Sequence, residues 1–262
     1  MRIARFSAGG SDPRYGVVEG PEGEEEILVV TGDPLYSPLN PTGQRVPLAD
    51  ARLLAPVIPR SKVLGIGRNY AEHAAELGNE VPEEPLVFTV PNTSVSGPGD
   101  PVTVPDWAGG ELHYEGELAL VIGRICKDVP ESRVDDVIYG WTIADDVTAR
   151  ALQGPDKQWW RAKGADGFTP LGPWIETELD YADVRITTRL DGEVVQDGRT
   201  SQMVRSIPSL VAHVTRAMTL LPGDVILTGT PAGVGPARPG QRVDVEIEGI
   251  GVLSNPFVAA ER

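Results

Sequence analysis

The run His113-Tyr-Glu115-Gly-Glu117 sets an imidazole and two carboxylates at alternate positions, ahead of the apolar stretch Leu118 to Ile122. Alternate side chains share one face of a strand. Two carboxylates held side by side repel each other, and a divalent cation resolves that repulsion. An all-oxygen donor set suits Mg²⁺ or Mn²⁺, with Ca²⁺ as an alternative, rather than zinc. A solvated strand end would accommodate the same two glutamates. A third acidic element, Asp145-Asp146, closes the apolar run Val137 to Ala144. The two aspartates point opposite ways if the strand continues, so only one can join the glutamates. Capping the turn that follows, Val147 to Leu152, is the other use for an aspartate there.

Three further segments carry polar chemistry. Gly65-Ile-Gly67-Arg68-Asn69-Tyr70 begins like a dinucleotide fingerprint, but Tyr70 stands where the third glycine is required, which excludes that reading. His73 and Glu76 follow three residues apart on a helical pattern, so they share a face. A carboxylate beside an imidazole orients it and raises its basicity, as a general base requires; an exposed surface pair is the alternative. Lys163-Gly164 lies in a stretch of small residues read as loop, where a lysine can reach an anion. Thr228-Gly-Thr230-Pro-Ala-Gly-Val-Gly235 offers hydroxyls and unhindered N–H groups but lacks the Gly-Lys-Ser/Thr ending of a phosphate loop. His213 falls between apolar positions of a helix and reads as structural.

The elements that must hold these residues are mostly short strands. Gly (30) and Pro (24) are abundant in the 262 residues. Arg2 to Phe6, Tyr15 to Glu19 and Glu25 to Val30 form a small β-rich unit, and Thr31 to Pro59, with six prolines, reads as loop. A boundary near Pro59 divides the chain into 1–59 and 60–262. In the larger part, Val63 to Gly67 is a buried strand, and Val184 to Gln196 forms a hairpin about Asp191-Gly192, a type I′ sequence. Pro208 to Met218 is the clearest helix, with Ser206 near its cap. The class is mainly β with short helices.

The net charge of −15 excludes polyanionic partners, both nucleic acid and anionic membrane surfaces. The lone Cys126 excludes a disulfide framework. No apolar run has the length of a signal peptide or a membrane span, so a soluble, cytoplasmic protein is expected.

In order and spacing these elements together resemble the fumarylacetoacetate hydrolase family. The resemblance runs over about residues 60–258: Gly65 to Tyr70 with His73 and Glu76, Ser96-Gly-Pro-Gly-Asp100, His113 to Glu117, Asp146 to Arg150 with Gln153, Lys163-Gly164, and Thr228 to Gly235. It implies a catalytic domain folded as a β-sandwich-like roll, preceded by a small N-terminal β domain, in a homodimer. Carried over by position, it implies Glu115, Glu117 and Asp146 as metal ligands, with Lys163 as the active-site lysine. It also implies His73 and Glu76 as a dyad on a lid segment, and Arg68, Tyr70, Arg150, Gln153 and Thr230 as substrate-binding residues. The implied substrate is a small anionic 2-oxo or β-diketo acid. The implied chemistry is metal-dependent C–C hydrolysis or decarboxylation through an enolate. The alternatives are isomerisation of a 2-hydroxyhepta-2,4-diene-1,7-dioate-type substrate, as in aromatic catabolism, and a catalytically weak ligand-binding member. One position departs from the pattern: the family's Phe-x-Lys-Pro run is Phe88-Thr-Val90-Pro91 here, which removes a cation expected near the pocket.

Overall fold

The computed structural model describes residues 1–260. Ten strands form the path of a twelve-stranded sheet. From one edge they run Asn40–Pro47, Glu26–Thr31, Arg14–Glu19, Arg2–Ala8, Thr169–Glu176, Ile138–Asp145, Gly116–Ile122, Val225–Leu227, Val63–Gly67 and Leu86–Val90. A five-stranded sheet, ordered Glu193–Arg199, Arg185–Leu190, Arg242–Ile247, Gly251–Ala259 and Val102–Val104, packs across its middle. The chain is β-rich with short helices, as its composition and turn residues predict.

Gly116–Ile122 is buried along its whole length because both faces are covered. Leu118, Leu120 and Ile122 enter the core between the sheets with Ile186, Val243 and Val245. Ala119 and Val121 face the other way, into a cluster with Val63, Val225 and Leu227. A strand buried on both sides reads as an unbroken apolar run. It also gives the glutamates at its start a rigid base.

The two parts of the chain share one sheet, since Arg2 and Ile3 pair with Glu176 and Ile175. The larger expected part extends to residue 262, and its last two residues lie outside the described ones. Two stretches read as loop are strands. Asn40–Pro47 and Ala51–Leu54 lie within the proline-rich segment. The former is the sheet's outer edge, where a proline without an N–H breaks no ladder. Thr169–Glu176 lies in the sheet interior despite Pro170 and Pro173, and its pairing with Ile138–Asp145 is irregular beside Gly172.

The other predicted elements lie close to their expected positions. Asp191 and Gly192 both have positive φ, 52° and 87°, in the hairpin turn. The Ser206 side chain caps the helix Ile207–Ala217 by accepting from Ser209 N–H. His213, on that helix, sits 3.4 Å from Glu84 at the surface. Among the described residues, no helix is long and apolar enough to cross a membrane.

Candidate active site

Glu115, Glu117 and Asp146 offer carboxylate oxygens that all lie within 4.8 Å of one another, and all three residues are buried. Glu115 occupies the break between strands Leu112–Tyr114 and Gly116–Ile122. The backbone fixes it there: its N–H donates to Asp145 Oδ1 at 2.8 Å, and its carbonyl accepts the Asp146 N–H at 2.9 Å. Asp145 thus serves the main chain, and Asp146 alone joins the glutamates. Asp146 does not cap a helix, because Arg150–Asp156 starts four residues later.

Two cations, Lys163 buried and Arg150 half-buried, balance this cluster. Lys163, at the end of the short helix Trp160–Lys163, donates to Glu115 Oε2 at 2.8 Å, Asp146 Oδ2 at 2.5 Å and Thr148 Oγ1 at 2.7 Å. All three ammonium hydrogens are therefore engaged, so this lysine binds the acidic residues and is not a free loop cation. Arg150 donates to Glu115 and, at 2.6 Å, to Gln153 Oε1. Burial alone would raise the Glu115 carboxyl, but Lys163 and then Arg150 hold it below the ordinary carboxylate range. Glu117 lacks such a partner; burial, then Asp146 and Glu115, push it well up. Burial pushes Asp146 up to about 6 against the pull of Lys163.

These features fit a hard divalent ion. Asp146 Oδ1 is buried without a hydrogen-bond partner among the described residues. The hydrogen bond to Glu117 comes from Gly229 N–H, at 2.7 Å. With every group ionised, three carboxylates against Lys163 and Arg150 leave one negative charge. A divalent ion reverses the sign and makes the site attractive to an anion.

The Thr228–Gly235 segment cradles carboxylates, and they are the protein's own. Gly229 N–H holds Glu117, and Gly233 N–H holds Glu76 at 3.1 and 3.2 Å. His73 and Glu76 lie on the helix Ala71–Glu76. His73 Nδ1 is 3.5 Å from Glu76 Oε2, too long for a good hydrogen bond but close enough for the charge to orient the ring. Burial lowers the His73 pKa, so the imidazole is neutral near pH 7.

A cavity of about 270 Å³ opens onto the acidic cluster. Its lining brings together Arg68, His73, Arg150, Gln153, Lys163 and Thr230 with all three carboxylates. Tyr70, Glu76 and His113 lie outside that lining. The Tyr70 hydroxyl is buried without a partner among the described residues, and burial, then Glu117, raise its pKa. The apolar wall comes from Ile66, Leu77, Phe88 and Trp159, the last two meeting edge to face at 5.0 Å. The Gly-x-Gly motif belongs to this wall. A Cβ at Gly65 would overlap the Phe88 ring, and one at Gly67 would lie 3.0 Å from Trp159. Val90 is packed in the core with Val63 and Val225, not on the cavity wall.

Some supporting residues carry no sequence signal. Gln196 accepts from Gly116 N–H at 3.0 Å and donates to Thr230 Oγ1 and the Pro231 carbonyl, each at 2.8 Å. Thr230 Oγ1 donates in turn to the Gly116 carbonyl at 2.9 Å. Gln196 lies on the far strand of a hairpin, and only the pairing of two sheets brings it here. Phe88 and Trp159 likewise come from separate elements and show no spacing rule.

The family described as fumarylacetoacetate (FAA) hydrolase, C-terminal, matches residues 62–258. The chain belongs to the fumarylacetoacetate hydrolase family, and it is an enzyme of that family. Residues 1–56 match a second family, described as Rv2993c-like, N-terminal. A solved structure of 2-hydroxyhepta-2,4-diene-1,7-dioate isomerase from Mycobacterium marinum is 44% identical, with a TM-score of 0.91, and the alignment covers 100% of both chains. A mitochondrial oxaloacetate tautomerase of Arabidopsis thaliana is 43% identical over 72% of this chain and 87% of its own. A maleylpyruvate hydrolase from Sphingobium sp. SYK-6, solved with manganese(II) and pyruvate, is 32% identical, with a TM-score of 0.81, covering 100% of both chains.

Proposed function

We propose that this family member is a divalent-metal-dependent enzyme that moves a proton at the carbon beside the 2-oxo group of a small oxo acid, interconverting its keto and enol forms. The observation that carries this reading is a neutral, Glu76-oriented His73 on the wall of the cavity that holds the acidic cluster. Glu115, Glu117 and Asp146 hold the ion, and their oxygen donors suit Mg²⁺ or Mn²⁺. When bound, the ion supplies Lewis-acid polarisation of the substrate's carboxylate and 2-oxo oxygens. With Nδ1 turned toward Glu76, His73 Nε2 is the atom that accepts the proton. Lys163 and Arg150 supply the positive field that stabilises the developing enolate charge, acting through the carboxylates they bind. Thr230 and Gln153 orient the substrate from the cavity wall.

C–C hydrolysis is the second reading, and the maleylpyruvate hydrolase relative favours it. It differs in one step, since His73 would deprotonate a water that attacks the distal carbonyl. Decarboxylation reaches the same enolate with no attacking water. The working unit in either reading is a homodimer, which sedimentation would measure.

The test is to follow oxaloacetate, an acylpyruvate and a dienedioate, with and without Mg²⁺ or Mn²⁺, by enol absorbance, carbon dioxide release and fragment analysis. Metal-dependent enol interconversion without fragmentation is expected. Fragmentation faster than interconversion would favour hydrolysis. No turnover of any of the three would overturn both readings and leave a ligand-binding protein.

A further inference from the structure

Asp145 Oδ2 and Thr188 Oγ1 are both buried without a hydrogen-bond partner among the described residues. The two residues are 2% and 0% exposed. A buried polar atom left unpaired is costly, so each needs a reason. The sheet register places the two side by side. Asp145 lies directly opposite Gly116 in the pairing of Ile138–Asp145 with Gly116–Ile122. Residues opposite one another on antiparallel strands send their side chains to one face, with Cβ atoms about 5 Å apart. That face meets the second sheet, because Ile143 and Leu118, two residues along on each strand, enter the core between the sheets. Gly116 has no side chain, and the Thr188 hydroxyl fills the space. Thr188 Oγ1 lies 2.3 Å from where a Cβ at Gly116 would stand, and so beside the Asp145 carboxyl. One bond between the two orphaned atoms satisfies both.

The other oxygen of Asp145 is committed to the acidic cluster. Oδ1 accepts the Glu115 N–H at 2.8 Å, and the Glu115 carbonyl accepts the Asp146 N–H at 2.9 Å. These bonds close a ring through Asp145 that fixes Glu115 against Asp146, although the two come from separate segments of the chain. We propose that Asp145, locked by the Thr188 hydroxyl donating to its Oδ2, is a positioning residue that sets the Glu115–Asp146 spacing and biases the acidic cluster toward a small divalent ion and against Ca²⁺. This rests on the reading above, in which those carboxylates hold an ion. Mg²⁺ demands near-ideal octahedral ligands at about 2.1 Å, whereas Ca²⁺ accepts looser sets at about 2.3–2.6 Å. A cluster whose backbone cannot spread suits the smaller ion, and a cluster free to relax loses that advantage first.

The test titrates metal-stripped protein with Mg²⁺ and with Ca²⁺ by calorimetry and reads the ratio of the two affinities. Thr188→Val keeps the shape and removes the hydroxyl. It should lower Mg²⁺ affinity about tenfold, as for other residues that orient ligands, and Ca²⁺ affinity by no more than about twofold. Thr188→Ser keeps the hydroxyl and should restore the wild-type ratio. Asp145→Ala should lower the ratio at least as far as Thr188→Val, and adding Thr188→Val to it should change the ratio no further. Asp145→Asn keeps an oxygen for Glu115 and offers an N–H to Thr188, so its ratio should stay within about twofold of wild type. A lower melting temperature with an unchanged ratio in Thr188→Val would overturn the inference, as would independent, additive losses in the double variant. Either result would leave the proposed function standing. Failure of wild type to bind either ion would instead overturn the proposed function, and the inference with it.

Discussion

The Gln196 side-chain oxygen accepts the Gly116 N–H at 3.0 Å, so an amide from the second sheet grips the peptide between the two strand glutamates. Gly116 has no room for a side chain, since a Cβ there would overlap Thr188 and lie 2.8 Å from Val245. Glu115 and Glu117 are therefore set by a backbone pressed against the second sheet and held there by one side chain. Gln196 also bonds Thr230, which ties the acidic cluster and the cavity wall to the same support.

Replacing Gln196 by Leu keeps the bulk and removes three hydrogen bonds. The groups left without partners are buried, so the loss should cost about 1–3 kcal/mol of stability. Metal affinity should also fall, by about tenfold, as for other residues that orient ligands. Calorimetric titration with Mn²⁺ and a thermal melt measure the two effects. A less stable variant with undiminished metal affinity would show that Gln196 supports the fold and does not position the ligands.

Metal binding should be coupled to pH. Burial pushes the Asp146 carboxyl up to about 6 and, with Asp146 and Glu115 beside it, raises Glu117 as well. A carboxyl group whose folded pKa is raised contributes stability in full below its unfolded value of about 4, and that contribution is lost as pH rises through the folded value. Metal-free protein should thus lose stability between about pH 4 and pH 7. Metal must displace the same protons, so its affinity should rise across that window, with protons released on binding. Melting the chelator-treated and metal-loaded forms at several pH values tests this, and the gap between them should widen as pH rises. A constant gap would contradict the linkage.

Much of this site could be read from the chain because its chemistry is local. Glu115 and Glu117 are two apart at the start of a strand, His73 and Glu76 three apart on a helix, and those periods suffice to suggest a common side for each pair. The same alternation showed that only one of Asp145 and Asp146 could join them, and the family resemblance, not the spacing, singled out Asp146. What spacing could not provide was anything fixed by the contact of distant elements. The three bonds of Lys163, the grip of Gln196 on Gly116 and the burial of Val90 all depend on which strands become neighbours. The fold divides the same way. Asp191-Gly192 and the Ser206 cap are local signals and were legible. The edge strand Asn40–Pro47 was not, because its prolines are tolerated only by virtue of its place in the sheet.

His73 and Glu76 should separate catalysis from metal binding. His73→Ala removes the proton acceptor and should lower kcat by about 10²–10⁴-fold. Metal affinity should change little, since His73 bonds none of the three ligands. Glu76→Gln should produce a smaller loss. It weakens the orienting charge on His73 but keeps an oxygen able to accept the Gly233 N–H. Steady-state kinetics beside metal titration resolves the pair. Equal losses of kcat and metal affinity in His73→Ala would place the imidazole in the metal site and not in proton transfer.

The Gly-x-Gly motif should matter through the aromatic rings it admits. At Gly65 a methyl group would run into the ring of Phe88, and at Gly67 it would meet the edge of Trp159 at 3.0 Å. The first overlap needs the ring to move, whereas the second needs a shift of a few tenths of an ångström. Gly65→Ala should therefore cost about 1–3 kcal/mol, as overpacking does, with Gly67→Ala milder. Phe88 also lies beneath Lys163, whose Nζ is 5.3 Å from the ring centroid. Displacing the ring should thus raise KM as well as lower stability. A double-mutant cycle decides the cause. With Phe88→Leu in the background, the smaller side chain leaves space for the new methyl, and the cost of Gly65→Ala should shrink. An unchanged cost would mean that the glycine is needed for its own backbone, independent of the ring that covers it.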